Sequence, residues 1–463
     1  MIFGKHINKY YLQNWYLFLI GIVALVFVDI YQLEIPRQIG FLIDGLSSTT
    51  LDREGIYQIV ITILGYAGII IVGRFAWRIG IFGASRRFDY GLRNDMFAHC
   101  EKLSVSFYNE NKTGALMAHF TNDLDAVRMG VGPGMVILVD ATFLGVLTIF
   151  RMMQINVQLA IYSAIPLTLI TVLSGVLGSR MRKKFKEAQK AFEDMSDYVT
   201  ENLGGISVIK AFVKEKIAVI EFLKRNQQTK DKNLKHIYLN NILQVSVRTI
   251  VGSIFILIIG VGGWIVHEGI LTGGELVYFY SLFGSLVWPM MAIGRIVSIR
   301  SRSKASYERI SNILDQKIEI YDHDDVFDVE ELQGSIEFRN LSFQYPDGHI
   351  NTLEDVSFTI EKGETVGVLG RTGSGKTSIV DLLLRIYNIE RNKIFIDGYD
   401  IMDLPLSKVR DSIGYVPQDG FLFSDTISNN ISLRYGRRDD LFTDVEQAAR
   451  LSDVHNNIIE FSD

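Results

Sequence analysis

Six long apolar runs in the first 300 residues constrain this chain more than any other feature. They lie near residues 15–35, 57–80, 131–151, 156–179, 247–267 and 275–295, and none contains a lysine. A helix of roughly 20 apolar residues crosses a hydrocarbon core about 30 Å thick. One such run could be a buried helix of a soluble domain. Six could not pack inside one soluble core, so hydropathy reads them as six membrane spans. The first run continues from about Trp15 to Leu33 behind a basic N-terminus, with no small-residue cleavage site. It is therefore read as a retained span and not as a signal peptide.

The connections orient the spans. Those between spans 2 and 3 (80–130) and between spans 4 and 5 (180–246) are long and hold six and fourteen Lys/Arg, whereas the three short ones together hold only Arg37 and Arg53. The positive-inside rule puts the long connections and both termini in the cytoplasm. The expectation is a multi-pass integral protein of the plasma (inner) membrane, in contact with lipid. In 180–200, Met181, Phe185, Ala188, Phe192 and Met195 recur at helical spacing with no breaker after span 4. That helix is expected to continue out of the membrane, as are spans 2, 3 and 5.

Over all 463 residues the chain is 48% hydrophobic and 21% charged, too charged to be membrane throughout, so its charges are segregated. A net charge of −5 carries no nucleic-acid footprint. The single cysteine, Cys100, excludes an intrachain disulfide. From about Gly334 the pattern changes to period two. SIEFRNLSFQY, LEDVSFTI, ETVGVLG and KIFIDG read as strands, and Asp347-Gly348, Lys362-Gly363 and Asp397-Gly398 as turns. The expected organisation is a membrane domain over 1–310, a linker over 311–333 and a soluble domain over 334–463.

Residues Gly370, Arg371, Thr372, Gly373, Ser374, Gly375, Lys376 and Thr377 fit the phosphate-cradling pattern G-x-x-x-x-G-K-[ST], and Ser378 follows. Gly373 and Gly375 let the backbone wrap so that successive N–H groups face phosphate oxygens, and the helix after them adds its dipole. Lys376 is expected to reach the β- and γ-phosphates, and Thr377 to ligate Mg²⁺. Two further positions are candidates. Tyr345, in FQYPDG, could stack on a base or be an ordinary strand-end aromatic. Gln418, in GYVPQDG after another strand-like run, could reach Mg²⁺ and an attacking water or be a plain loop amide.

With these residues in view, the whole chain resembles a half-transporter of the ATP-binding cassette exporters, of multidrug or lipid type. FQYPDG looks like the family's A-loop, GRTGSGKTS like its Walker A and VPQD like its Q-loop. The resemblance implies an all-α transmembrane domain of six helices with long cytoplasmic extensions, followed by a partial α/β P-loop nucleotide-binding domain. It also implies Mg-ATP held by Tyr345, residues 370–378 and Gln418, with Lys376 and Gln418 in catalytic roles and Thr377 and Gln418 on the metal. FYNENKTGALMAHF is similar to the first intracellular loop, which places a coupling helix near 111–118. ENLGGISVIKAFVKE is similar to the second, with its coupling helix near 201–210. A second half-transporter, identical or different, is the implied partner.

The sequence departs from the family after Gln418: it holds no LSGGQ signature and no Walker B strand ending in Asp-Glu. The chain is therefore expected to be truncated within the nucleotide domain and to bind Mg-ATP without hydrolysing it alone. An ATP-binding regulatory or channel-like protein, or a non-functional fragment, is the alternative. For the substrate, Arg74, Arg78, Asp140 and Arg248 sit in or near spans, where charges face the bundle interior, mark a pathway or snorkel to the interface. Tyr278, Tyr280, Phe283, Trp288, Met290 and Met291 in span 6 suit an adaptable greasy cavity, or simply pack. The expectation is a hydrophobic, amphipathic small molecule.

Overall fold

The computed structural model describes residues 4–323, 325–433 and 442–461. The chain separates into two compact units. One takes in the chain to Lys102 and Asn111–Lys317; the other takes in Leu103–Glu110 and the chain from Ile318 onward.

The first unit is helical. Its elements are α1 (Asn8–Gln13), α2 (Trp15–Ser47), α3 (Arg53–Trp77) and α4 (Gly83–Cys100), and after the excursion α6 (Thr113–Ala118), α7 (Leu124–Val131), α8 (Pro133–Ile155), α9 (Val157–Gly204), α10 (Ile206–Ala211), α11 (Glu215–His267) and α12 (Gly273–Leu314), with α5 (Val105–Glu110) in the second unit. Helix starts follow capping chemistry. Asp52 accepts the Gly55 N–H at 2.8 Å and Asn156 accepts that of Leu159 at 2.9 Å. At α12, Thr272 and Glu275 form a reciprocal capping box.

Among the described residues five helical stretches are long and apolar enough to cross a membrane, lying within Trp15–Ser47, Arg53–Cys100, Thr113–Ile155, Glu215–His267 and Gly273–Leu314; α9 opens on a further apolar stretch, Val157–Pro166. The absence of a breaker after span 4 has its counterpart in α9, which runs unbroken for 48 residues, about 72 Å at ~1.5 Å per residue. Helix α11 runs for 53 residues. Both exceed what a hydrocarbon core needs, so polar lengths of helix lie outside it.

Packing in this unit depends on close backbone approach. A Cβ on Gly40 of α2 would stand 2.7 Å from the Gly274 carbonyl oxygen of α12. One turn away, Asp44 accepts from the Thr272 hydroxyl and the Gly274 N–H, each at 2.6 Å. Between α3 and α4 the helix loosens into one π-turn, Arg78–Phe82, and between α6 and α7 into another, His119–Asp123. Gly80 in the first lets that turn sit on α2, because a Cβ there would meet the Leu17 carbonyl at 2.8 Å. One apolar core gathers around Phe88, Leu92, Met96, Leu124 and Val131, and another around Leu159, Ile258, Phe279, Leu282 and Phe283.

The second unit is built on an antiparallel sheet of order β2-β1-β3-β4, with β1 (Ile336–Phe343), β2 (Leu353–Ile360), β3 (Ile394–Ile396) and β4 (Tyr399–Asp400). The P-loop helix, α13 (Lys376–Leu383), falls between β2 and β3 in the chain. Its core holds Phe338, Leu341, Leu382, Ile394, Ile401 and Leu404. Asp397 and Gly398 take positive φ of 51° and 81° in the β3–β4 turn, as an Asp-Gly hairpin requires. The Asp397 carboxylate also accepts the N–H groups of Gly334 at 3.2 Å and Ser335 at 2.9 Å. Burial works to raise its pKa, but these N–H groups hold it below the usual carboxylate value.

One expectation is corrected here. ETVGVLG, read as a strand, is not part of the sheet: residues 364–370 make no ladder, and Val366 and Val368 are half exposed. The alternation is present, but a strand also needs a neighbour to take its backbone groups, and none is paired with it among the described residues. The same holds for the run before Gln418, residues 413–417. In the first long connection a helix does fall at the 111–118 stretch, α6, which belongs to the first unit, while α5 belongs to the second. Within the second unit Ser104 donates to Glu319 at 2.6 Å, and Asn109 donates to the Tyr387 hydroxyl at 3.2 Å.

Candidate nucleotide site

The site begins at the end of β2. Glu361 to Glu364 close a turn with Glu364 N–H on the Glu361 carbonyl at 3.0 Å and Gly363 at φ +81°, the geometry that calls for glycine at the third position. Residues 364–370 then run exposed into the loop. The loop tightens through the Ser374 N–H, which donates to the Arg371 carbonyl at 3.2 Å. Gly373 and Gly375 stand at φ +82° and +84°. Gly375 caps α13, and a Cβ there would meet the Leu353 side chain at 2.8 Å and the Thr352 carbonyl at 2.9 Å. Only glycine fits that position.

Lys376 folds back over its own loop. Its ammonium group donates to the carbonyls of Gly370 at 2.9 Å and Arg371 at 2.8 Å. A cation held on loop carbonyls at the start of a helix marks a place where an anion would find both the ammonium group and free N–H groups. Arg371, Thr372, Gly373 and Ser374 are exposed around it, and Thr377 is exposed on the first turn of α13. These residues fit a nucleotide's phosphates. Thr377 would offer its hydroxyl to a hydrated Mg²⁺ from the first turn of α13.

Tyr345 is brought to the same helix. A turn over Tyr345-Pro346-Asp347-Gly348, closed by the Gly348 N–H on the Tyr345 carbonyl at 2.9 Å, follows β1. The Tyr345 hydroxyl shares a 2.7 Å hydrogen bond with the buried Ser378 hydroxyl. Its ring meets Phe343 at 4.9 Å and Tyr387 edge-on at 5.1 Å between centroids. An unbroken path thus runs from Asn109 of α5 through Tyr387 and Tyr345 to Ser378 on the P-loop helix. Burial pushes the Tyr387 phenol above its ordinary pKa, so it stays a neutral donor and acceptor. Tyr387 and Asn109 escaped the sequence reading, because nothing local to IYN or FYN marks an aromatic as a bridge.

Gln418 lies in an exposed bend, and no hydrogen bond joins it to Lys376 or Thr377 among the described residues. The site therefore assembles from Tyr345, residues 370–378 and Tyr387, with Gln418 apart. Tyr345→Ala is expected to weaken ATP binding about tenfold, the range of a lost base–aromatic stack. Tyr345→Phe, which loses only the bond to Ser378, is expected to change it less than about threefold. Titration with a fluorescent ATP analogue separates the two.

The geometry can be set beside known proteins. The family described as ABC transporter transmembrane region matches residues 18–290, and the family described as ABC transporter matches residues 353–462. The chain is 35% identical over 447 residues to the probable multidrug resistance ABC transporter ATP-binding/permease protein YheI of Bacillus subtilis (strain 168), covering 96% of this chain and 76% of that protein. It is 31% identical over 454 residues to the multidrug resistance-like ATP-binding protein MdlA of Escherichia coli (strain K12), covering 98% of this chain and 76% of the relative.

Proposed function

The chain belongs to the ATP-binding cassette transporters, and from that membership we propose that it exports amphipathic small molecules across the inner membrane as one half of a dimer. The membrane domain supplies the route, and the second unit supplies the nucleotide site. The observation that carries the reading is the convergence of Lys376, Ser378 and Tyr345 on one helix end, with the Tyr345–Ser378 bond at 2.7 Å. The names of the relatives, which speak of multidrug resistance, support a drug-like cargo. Both termini and the long connections face the cytoplasm in this reading, following the distribution of Lys and Arg.

ATP, with Mg²⁺, would supply the free energy of the cycle. The chain's part is to bind and to orient. Lys376 and the loop N–H groups would hold the phosphates, Thr377 would ligate the metal and Tyr345 would hold the base; Gln418 would complete the metal site only on being brought to it, since no hydrogen bond ties it to Lys376 or Thr377 among the described residues. Residues of the P-loop can shift the membrane domain only to the extent that they bind nucleotide more tightly in one conformation than in the other. The path from Ser378 through Tyr345 and Tyr387 to Asn109 is a physical link along which such a preference could reach α5.

The test uses inside-out vesicles from cells that express the chain together with a second half-transporter that carries the signature and Walker B motifs, since this sequence holds neither. ATP-dependent accumulation of an amphipathic dye such as Hoechst 33342 is the expected result. Lys376→Ala is expected to remove it and to weaken labelling by 8-azido-ATP at least about tenfold, since a charge-assisted contact is lost. Dye accumulation that persists unchanged in Lys376→Ala would sink the reading.

A further inference from the structure

The membrane unit holds a cavity that the proposed function leaves without a task. It has a volume of about 410 Å³ and lies where Arg37 and Asp44 of α2, Arg151 of α8, and Glu275 and Tyr278 of α12 come together. Each of these stretches borders one of the three short connections. The cavity therefore lies away from the Lys- and Arg-rich segments, on the outer side in the proposed orientation. Phe41 adds an apolar wall, and the Arg37 guanidinium stands 5.5 Å from the centre of its ring.

The charges of the cavity fall into two groups. Arg37 and Arg151 share the Glu34 carboxylate, at 3.3 and 2.7 Å, so two cations answer one anion. Asp44 takes the Thr272 hydroxyl and the Gly274 N–H, and Glu275 takes the Thr272 N–H at 2.9 Å. Those donors are neutral, so both acids keep their charge, offset only in part by the N-terminus of α12. One group has positive charge to spare and the other negative. A cluster whose only task was to hold three helices together would pair them across the cavity. No ion pair joins Arg37 or Arg151 to Asp44 or Glu275 among the described residues. Tyr278 is 7% exposed, and its hydroxyl has no hydrogen-bond partner among the described residues. A buried hydroxyl in that state has given up water and gained nothing, unless something enters to meet it.

We infer that this cavity binds the zwitterionic headgroup of an aminophospholipid. The phosphate ester goes to Arg37 and Arg151, whose guanidinium groups suit its oxygens, and the Tyr278 hydroxyl donates to it as well. The primary ammonium group, with three N–H donors, goes to the lone pairs of Asp44 and Glu275 that the first turn of α12 leaves open. Phe41, half exposed, borders the apolar part of the lipid. A headgroup held this way touches α2, α8 and α12 at once. It favours whichever arrangement keeps those three helix ends together, in proportion to its tighter binding there. The lipid is thus a brace for the outer ends of the spans and not a cargo.

The experiment is native mass spectrometry of the full chain in a neutral detergent. The ligands are the dioctanoyl forms of phosphatidylethanolamine, phosphatidylglycerol and phosphatidylcholine, and soluble phosphoethanolamine. The first ethanolamine-lipid adduct is expected to half-saturate at least about tenfold below the other two lipids. The glycerol headgroup lacks the cation, and the choline headgroup lacks N–H donors. Soluble phosphoethanolamine is expected to bind at least about tenfold more weakly than its lipid, having no apolar part to bury. Equal binding of the two would make the ligand a free zwitterion and overturn the lipid. Tyr278→Phe is expected to lower ethanolamine-lipid affinity about threefold to tenfold with no change in melting temperature, since that hydroxyl has no internal bond to lose. Glu275→Gln keeps an acceptor for the Thr272 N–H but removes a charge. Its preference for the ethanolamine over the choline lipid is expected to fall at least about threefold. Native affinity in Tyr278→Phe, an unchanged preference in Glu275→Gln, or equal binding of the three lipids would overturn the site. No nucleotide enters the titration, so this site and ATP-driven uptake stand or fall separately.

Discussion

Gly375→Ala is expected to abolish nucleotide binding in the titration range, whereas Gly373→Ala leaves it within about tenfold of native. Both glycines stand in the left-handed region, at φ +84° and +82°, where a side chain costs of order 1–3 kcal/mol. They differ in what surrounds them. A Cβ at Gly373 meets nothing within 4 Å, whereas one at Gly375 would come within 2.8 Å of Leu353 and 2.9 Å of the Thr352 carbonyl. The second contact is backbone and cannot swing away. Relief requires the loop to lift from β2, which adds about 1–3 kcal/mol of overpacking and moves the N–H groups off their common focus. Nucleotide titration of the two variants, with a melting curve for each, checks the claim. Equal affinity in the two would show that the loop is free to shift.

Arg385→Ala is expected to destabilise the second unit by about 3–5 kcal/mol, the cost of emptying a buried charged position whose partners stay behind. Arg385 is wholly buried. It sits at φ +48° just past α13, where its N–H returns to Leu382 and that of Ile386 to Asp381, a helix stop in which glycine is usual. The guanidinium compensates for the strain. It donates to the carbonyls of Leu404 at 3.1 Å and Tyr321 at 3.3 Å, and Asp322 lies 3.8 Å away. Desolvation lowers its pKa from the usual arginine value, and Asp322 works against that. Arg385→Gly removes the strain but not the loss of donors, so it should recover only about 1 kcal/mol relative to alanine. Thermal unfolding of the full chain, read as a shift in the lower-melting transition, tests both. A melting curve unchanged in Arg385→Ala would refute the account.

Much of this molecule was legible because its signals are local. Hydropathy over twenty residues needs no knowledge of neighbours, and the unbroken course of α9 followed from the lack of a breaker after span 4. The P-loop was legible for the same reason: positive φ is a property of single residues, and Gly373 and Gly375 announce it. The failures all involve partners. ETVGVLG has a strand's alternation but no ladder, since pairing is decided elsewhere in the chain. That α5 belongs with the second unit was not legible, because Ser104 and Asn109 find their partners at Glu319 and Tyr387, more than two hundred residues away.

The π-turn at Arg78–Phe82 inserts one extra residue into what would otherwise be a single rod from Arg53 to Cys100. One residue of helix is about 100° of rotation. The insertion therefore resets the angular phase, and the stripe that α3 turns toward its neighbours does not continue as the same stripe on α4. Gly80, fitted against Leu17 and Gly21, pins the reset at one height. A substitution on the face that α3 turns toward its neighbours therefore does not fall on the continuation of that face along α4.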